Sequence, residues 1–302
     1  MIKLPVIRSF LAGALGLVAV AALSAQSPYH LVPHWGKLPA GMEWGEVPAA
    51  AVDAKDTVLV FRRSDPPIME FDRSGTLLKS WGEGLFVWPH GIRVDRSGNI
   101  WVTDGRAQNG RGQQVFKFDR SGTLLLTLGT KGVSGEGPDT FNGPCDVAVA
   151  ANGDIFVADG HGNGRIVKFA KDGTFIKAWG KRGSGPGEMN VPHSLALDSR
   201  GRVIVTDRGN HRLLVFDAEG TLVDQWAGFG TSPDGIFIAA DDTMYVADVA
   251  EGGDGITIAS AKDGKIREKI GGARPEGMAV DSHGTIYGGE TTSGRDLKVF
   301  SR

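Results

Sequence analysis

A short apolar run closed by Asp, or by Ala in its place, returns six times along this chain. The copies are Ala50 to Asp53, Ile92 to Asp95, Val147 to Ala150, Leu195 to Asp198, Ile236 to Ala239 and Met278 to Asp281. Successive copies lie roughly 40 to 55 residues apart, the period of four-stranded propeller blades. After each comes a turn such as Arg96-Ser97-Gly98-Asn99, then a second β-branched run such as Ile100-Trp101-Val102-Thr103-Asp104 or Val203-Ile204-Val205-Thr206-Asp207. Alternation and β-branching mark these as strands. Val115 to Asp119, Ile166 to Phe169 and Leu213 to Asp217 supply third strands; Thr123 to Gly129, Thr174 to Gly180 and Thr221 to Trp226 supply fourth ones. The prediction is an all-β, six-bladed β-propeller.

The chain ends test that reading. The sixth repeat stops at Leu297-Lys298-Val299-Phe300 with three strands, while His30 to Gly36 repeats the fourth-strand pattern that ends in Trp-Gly. An N-terminal strand is therefore expected to complete the last blade and close the ring, which removes open sheet edges. Many of the 45 Gly recur in Ser-Gly, Asp-Gly and Asn-Gly pairs between apolar runs, which is turn chemistry rather than disorder. A formal charge of −2 without a basic cluster argues against a nucleic-acid partner. With Cys145 as the single cysteine, no intrachain disulfide can form.

Residues 1–25 differ in kind. Lys3 and Arg8 precede an apolar run from Phe10 to Leu23 and then small residues up to Ala25, the layout of a secretory signal. Residues 1–25 are read as a signal peptide and 26–302 as the propeller, with a periplasmic or secreted mature protein. A membrane enters only if the segment stays uncleaved as an anchor. A monomer is expected.

Strands of a blade run up and down, so the start of the first and the end of the second reach the same face of the disc. The residue after the entering Pro is His90, Cys145, His193, Asp234 or Glu276 in blades two to six, and blade one has no clear counterpart at Pro48. With 7 His in the whole chain, chance would place on the order of a tenth of a His among these positions. His90, His193 and Glu276 stand on alternate blades and form a candidate trigonal metal set. Two imidazoles and a carboxylate suit zinc with a fourth position open. The competing reading is a ring of polar residues that bond the channel-mouth backbone.

Second-strand ends place Arg63, His161 and Arg208 on that face as candidate catalytic residues. Guanidinium forks suit a carboxylate substrate, and a His suits acid or base work. Arg62 reads as a solvated neighbour, Asn210-His211-Arg212 as a repeat turn, and Cys145 as a free core residue rather than a ligand. His30, His34 and His283 are assigned no chemistry.

At Asn210-His211-Arg212-Leu213 the repeats resemble the NHL family of six-bladed propellers. The chain further resembles the core of peptidyl-α-hydroxyglycine α-amidating lyases at Phe61-Arg62-Arg63-Ser64-Asp65, Pro89-His90-Gly91, Asp159 to Val167, Val191 to Leu197 and Asp207-Arg208. The resemblance implies His90 and His193 as zinc ligands and Arg63 and Arg208 as substrate contacts. It implies cleavage of a C-terminal α-hydroxyglycine, a carbinolamide bearing a carboxylate, into peptide amide and glyoxylate. Departures stand at Pro275-Glu276-Gly277, where the family has Pro-His-Asp, and at His161, where it has tyrosine. The family's Asp also helps hold a structural calcium (Ca2+), and Gly277 leaves such an ion to backbone carbonyls such as that of Ile92, weak support for a hard dication. The family's disulfides are absent. Competing expectations are a non-catalytic NHL propeller that binds a protein or peptide in the cell envelope and, ranked below it, a calcium-dependent lactone hydrolase.

Overall fold

The computed structural model describes residues 1–2, 27–253, 255–292 and 294–302. The expected signal segment lies almost wholly outside the described residues. Among those described, no helix is long and apolar enough to cross a membrane.

Six four-stranded antiparallel sheets follow one another around a channel. Blade two runs Pro89–Val94, Ile100–Asp104, Gln114–Phe118 and Leu124–Leu128. Blade four runs Pro192–Leu197, Val203–Asp207, Arg212–Phe216 and Leu222–Trp226. Blade six combines Gly277–Val280, Ile286–Gly289 and Leu297–Ser301 with His30–Leu31 from the other end of the chain. His30 pairs with Ser301 and Leu31 with Phe300, and Val32 N–H donates to Val299 O at 2.8 Å. The ring closes as the repeat count requires, with a shorter strand than the Trp-Gly pattern predicts. Trp35 leaves the ladder to pack against Tyr287 and Phe71, with ring centroids 5.0 and 5.5 Å away.

In blade four the second and third strands are buried throughout while the fourth is mostly exposed. Apolar side chains of the buried strands interlock between blades: Ile204, Leu213 and Val215 of blade four pack with Ile236, Met244 and Val246 of blade five. Each such side chain contributes roughly 1.5–3 kcal/mol on burial, and this core stands in for the missing disulfides.

Two local devices aim the inner strands. Where the second strand ends, Asp159 accepts Asn142 N–H at 2.8 Å and Arg165 Nε at 2.9 Å, and Asp207 accepts Asn190 N–H and Arg212 Nε, each at 2.7 Å. These carboxylates clamp the entering loop and are structural, not part of the channel mouth. Just after the entering Pro, the inner strands of blades two, three, four and five each shift register. A bulge re-aims a side chain, and the residues aimed are His90, Cys145, His193 and Asp234. Gly91 suits this turn, because a Cβ there would lie 2.6 Å from Cys145 O.

Candidate functional site

The bulges bring His90 and His193 to one mouth of the channel, and the turn after Ile155–Asp159 brings His161 there. Ring centroids lie 4.8 Å apart for His90–His161, 4.7 Å for His90–His193 and 5.3 Å for His161–His193. With Cys145, these histidines offer four ligand atoms within 4.8 Å of one another. They come from blades two, three and four, which are neighbours rather than alternate blades.

The tautomers follow from the partners. His90 Nδ1 faces Cys145 O at 2.8 Å; a carbonyl only accepts, so Nδ1 carries the proton and Nε2 keeps its lone pair. His161 Nε2 lies 2.8 Å from that lone pair and donates to it. His193 Nδ1 abuts the Asp234 carboxylate without forming a satisfied hydrogen bond, and its Nε2 has no partner either. A carbonyl or carboxylate on one ring nitrogen is the usual outer support of a metal-bound histidine, and His193 has in addition an unpartnered Nε2. Burial, followed by the nearby His193, His161 and Arg63 charges, holds His90 well below the usual histidine range. Burial and the charges of His193, Arg208, Arg106 and Arg63 bring His161 to about 2. Both rings are therefore neutral ligands, and burial pushes the Cys145 thiol well up.

Glu276 reaches the same place without a bulge. Its Oε1 lies 3.4 Å from His90 Nε2 and 2.7 Å from Arg63 Nη2, and its Oε2 accepts Thr291 Oγ1. Arg63 is committed as well: Nη1 pairs with Glu46 at 3.0 Å and Nε donates to Pro89 O at 3.1 Å. Arg208 is partly exposed, with Nη1 3.8 Å from Asp234. Arg62 corrects its expectation as a solvated neighbour. It is buried at 2% exposure, donates to Ser64 Oγ at 2.6 Å and Met69 Sδ at 3.1 Å, and burial lowers its pKa. Its apolar stem fills the core of blade one.

Sequence reading missed two contributors, Trp88 and Arg106. Trp88 lies edge-on to His161 at 5.1 Å and carries two guanidiniums, Arg63 at 4.3 Å and Arg106 at 3.8 Å. Arg106 is exposed and, among the described residues, has no carboxylate partner. Asp234, read from the sequence as a ring residue without a role, backs His193.

The residues fit a zinc-like ion: His193 Nε2 is a buried polar atom without a partner, and His90 Nε2 is shared only with another imidazole. They do not fit calcium. Gly277 brings no carboxylate, and the Asp146 carboxylate is engaged by Arg93 at 2.5 and 3.0 Å.

The NHL repeat model matches residues 86–118, 141–169 and 189–216. The chain is an NHL-repeat six-bladed β-propeller. Its particular likeness is to amidating lyases. It is 37% identical over 196 residues to peptidyl-glycine alpha-amidating monooxygenase B of Xenopus laevis, covering 54% of this chain and 22% of that protein. It is 42% identical over 141 residues to the probable peptidyl-alpha-hydroxyglycine alpha-amidating lyase pgal-1 of Caenorhabditis elegans, covering 45% and 39%. It is also 34% identical over 215 residues to human NHL repeat-containing protein 3, covering 68% and 59%. The chain thus spans about a fifth of the length of the amidating monooxygenase. The fold is shared with virginiamycin B lyase from Staphylococcus aureus, at a TM-score of 0.60 and 16% identity over 90% of this chain and 88% of that one.

Proposed function

We propose that this propeller is an exported, zinc-dependent lyase that cleaves N-acyl-α-hydroxyglycines, the carbinolamides whose carboxylate sits beside the hydroxyl. The carrying observation is the pair of buried imidazoles, His90 and His193, backed by Cys145 O and Asp234 and offering ligand atoms within 4.8 Å of each other. The likeness to amidating lyases supplies the substrate class.

His90 and His193 would hold the ion, with Glu276, 3.4 Å from His90, as third donor. Cys145 stays a protonated thiol that donates to Gly143 O at 3.3 Å. The ion supplies Lewis acidity at the substrate hydroxyl. Arg208 and Arg106 are the less committed guanidiniums at the mouth and receive the carboxylate; Arg63 orients Glu276. His161, neutral through burial, takes the hydroxyl proton. As the C–N bond breaks and the hydroxyl carbon becomes the aldehyde of glyoxylate, that proton passes to the departing amide nitrogen. The products are a primary amide and glyoxylate.

The test is metal content of the purified protein followed by glyoxylate release from an N-acyl-α-hydroxyglycine. Near-stoichiometric zinc and release that is lost in His161→Ala support the reading. A metal-free protein without release favours the second reading, a non-catalytic envelope propeller, which the longer alignment with NHL repeat-containing protein 3 supports.

A further inference from the structure

Below the histidines a single cationic side chain crosses the channel. Arg93 leaves the inner strand of blade two, and its Nε donates to Asp146 Oδ1 at 3.0 Å. Its Nη2 donates to Asp146 Oδ2 at 2.5 Å, Ser194 Oγ at 3.0 Å and Ile236 O at 2.9 Å. One guanidinium therefore joins blades two, three, four and five. Ser194 Oγ also donates to Asp146 Oδ2 at 2.5 Å and accepts Ile236 N–H at 3.2 Å. Asp146 is buried at 4% exposure, and such a carboxylate is costly unless paired and hydrogen-bonded.

The partners of Arg93 adjoin the site. Asp146 follows Cys145, whose carbonyl fixes the His90 tautomer. Ser194 follows His193, and its N–H donates to Thr206 Oγ1 at 2.8 Å. Ile236 lies two residues beyond Asp234, which backs His193. A planar fork imposes direction on its acceptors in a way that a spherical ion does not, so Arg93 sets the relative placement of these strands as well as neutralising Asp146.

We propose that Arg93 is the resident cation of this channel. It takes the place of a bound dication, and through Asp146, Ser194 and Ile236 it positions the bulges that present His90 and His193. It touches no reacting atom, and its role does not depend on which substrate the site takes.

Two measurements on the whole chain test this. With zinc content held constant, the wild-type unfolding midpoint should move by less than about 1 °C between calcium-free buffer and millimolar calcium, because a ligand that binds only the native state must raise it; a larger rise with calcium overturns the proposal. Arg93→Met should weaken zinc binding, read by competition with a chromogenic chelator, by about ten-fold or more, as loss of outer support does, and Arg93→Lys should recover part of that. Wild-type zinc affinity in Arg93→Met overturns the proposal. Should that variant fail to fold because Asp146 is left charged and unpaired, Arg93→Met with Asp146→Asn removes both charges. In the double variant a ten-fold loss of zinc affinity supports the positioning role and wild-type affinity sinks it. A wild type that takes up no zinc refutes the proposed function, while the calcium measurement still judges Arg93.

Discussion

Blades two and four deliver a histidine to the channel through a bulge, whereas blade six delivers a carboxylate from a regular ladder. In the first two, Gly91 N–H and Ser194 N–H, freed by the bulge, donate to Thr103 and Thr206 Oγ1 at 2.7 and 2.8 Å. The same hydroxyls donate to Cys145 O and Asp234 O of the next blade at 2.9 and 2.7 Å. Blade six has Gly277 paired with Gly289 in register, and Glu276 is held by side chains alone, Arg63 and Thr291. Backbone-anchored donors are fixed by the fold. Glu276 is fixed only as firmly as its ion pair, and that makes it the adjustable member of the site.

The largest expected effect falls on the bulged pair. His90→Ala with His193→Ala should abolish zinc uptake in elemental analysis and lower glyoxylate release by more than the roughly 100-fold that an outer partner accounts for. Retained zinc would break the contrast. Next comes the clamp beneath the blade-four bulge: Asp207→Ala strips the partner from buried Arg212 and should cost about 3–5 kcal/mol in urea unfolding. A loss below about 1 kcal/mol would mean that the loop is held by other contacts.

Thr206→Val leaves a buried N–H unpaired and should cost about 1–3 kcal/mol, with Thr103→Val alike; two very different values would show that the blades are not equivalent. The smallest effect belongs to blade six. Glu276→Gln should weaken zinc binding about ten-fold while leaving unfolding in urea within about 1 kcal/mol of wild type. Unchanged zinc affinity would give the third position to Cys145 or His161, whose ligand atoms close with those of His90 and His193.

Much of the architecture was legible because propeller blades are local. Strand, turn and strand follow within one repeat, so alternation, β-branching and Asx turns such as Asp95 with Ser97 N–H at 2.9 Å carry the signal in neighbouring residues. The residue after each entering Pro was legible for the same reason. The commitments of the arginines were not. Arg62 and Arg63 follow the end of one strand and Arg93 lies inside another, yet one is buried in a blade, one is neutralised by two glutamates, and one crosses the channel. Their partners lie up to 213 residues away in sequence, and no periodicity encodes such a meeting.

The sequence by itself determined the blade count, the ring closure and the set of side chains sent towards the axis, since each follows from a pattern repeated over a few tens of residues. The tertiary structure alone decided which of those side chains meet. Register bulges turned the Pro-His positions inward, the Cys145 carbonyl of the adjacent blade fixed the His90 tautomer, and the Arg93 guanidinium reached Asp146, Ser194 and Ile236 across the channel. Each of those outcomes depends on distances between blades, which closure of the ring sets and linear order does not.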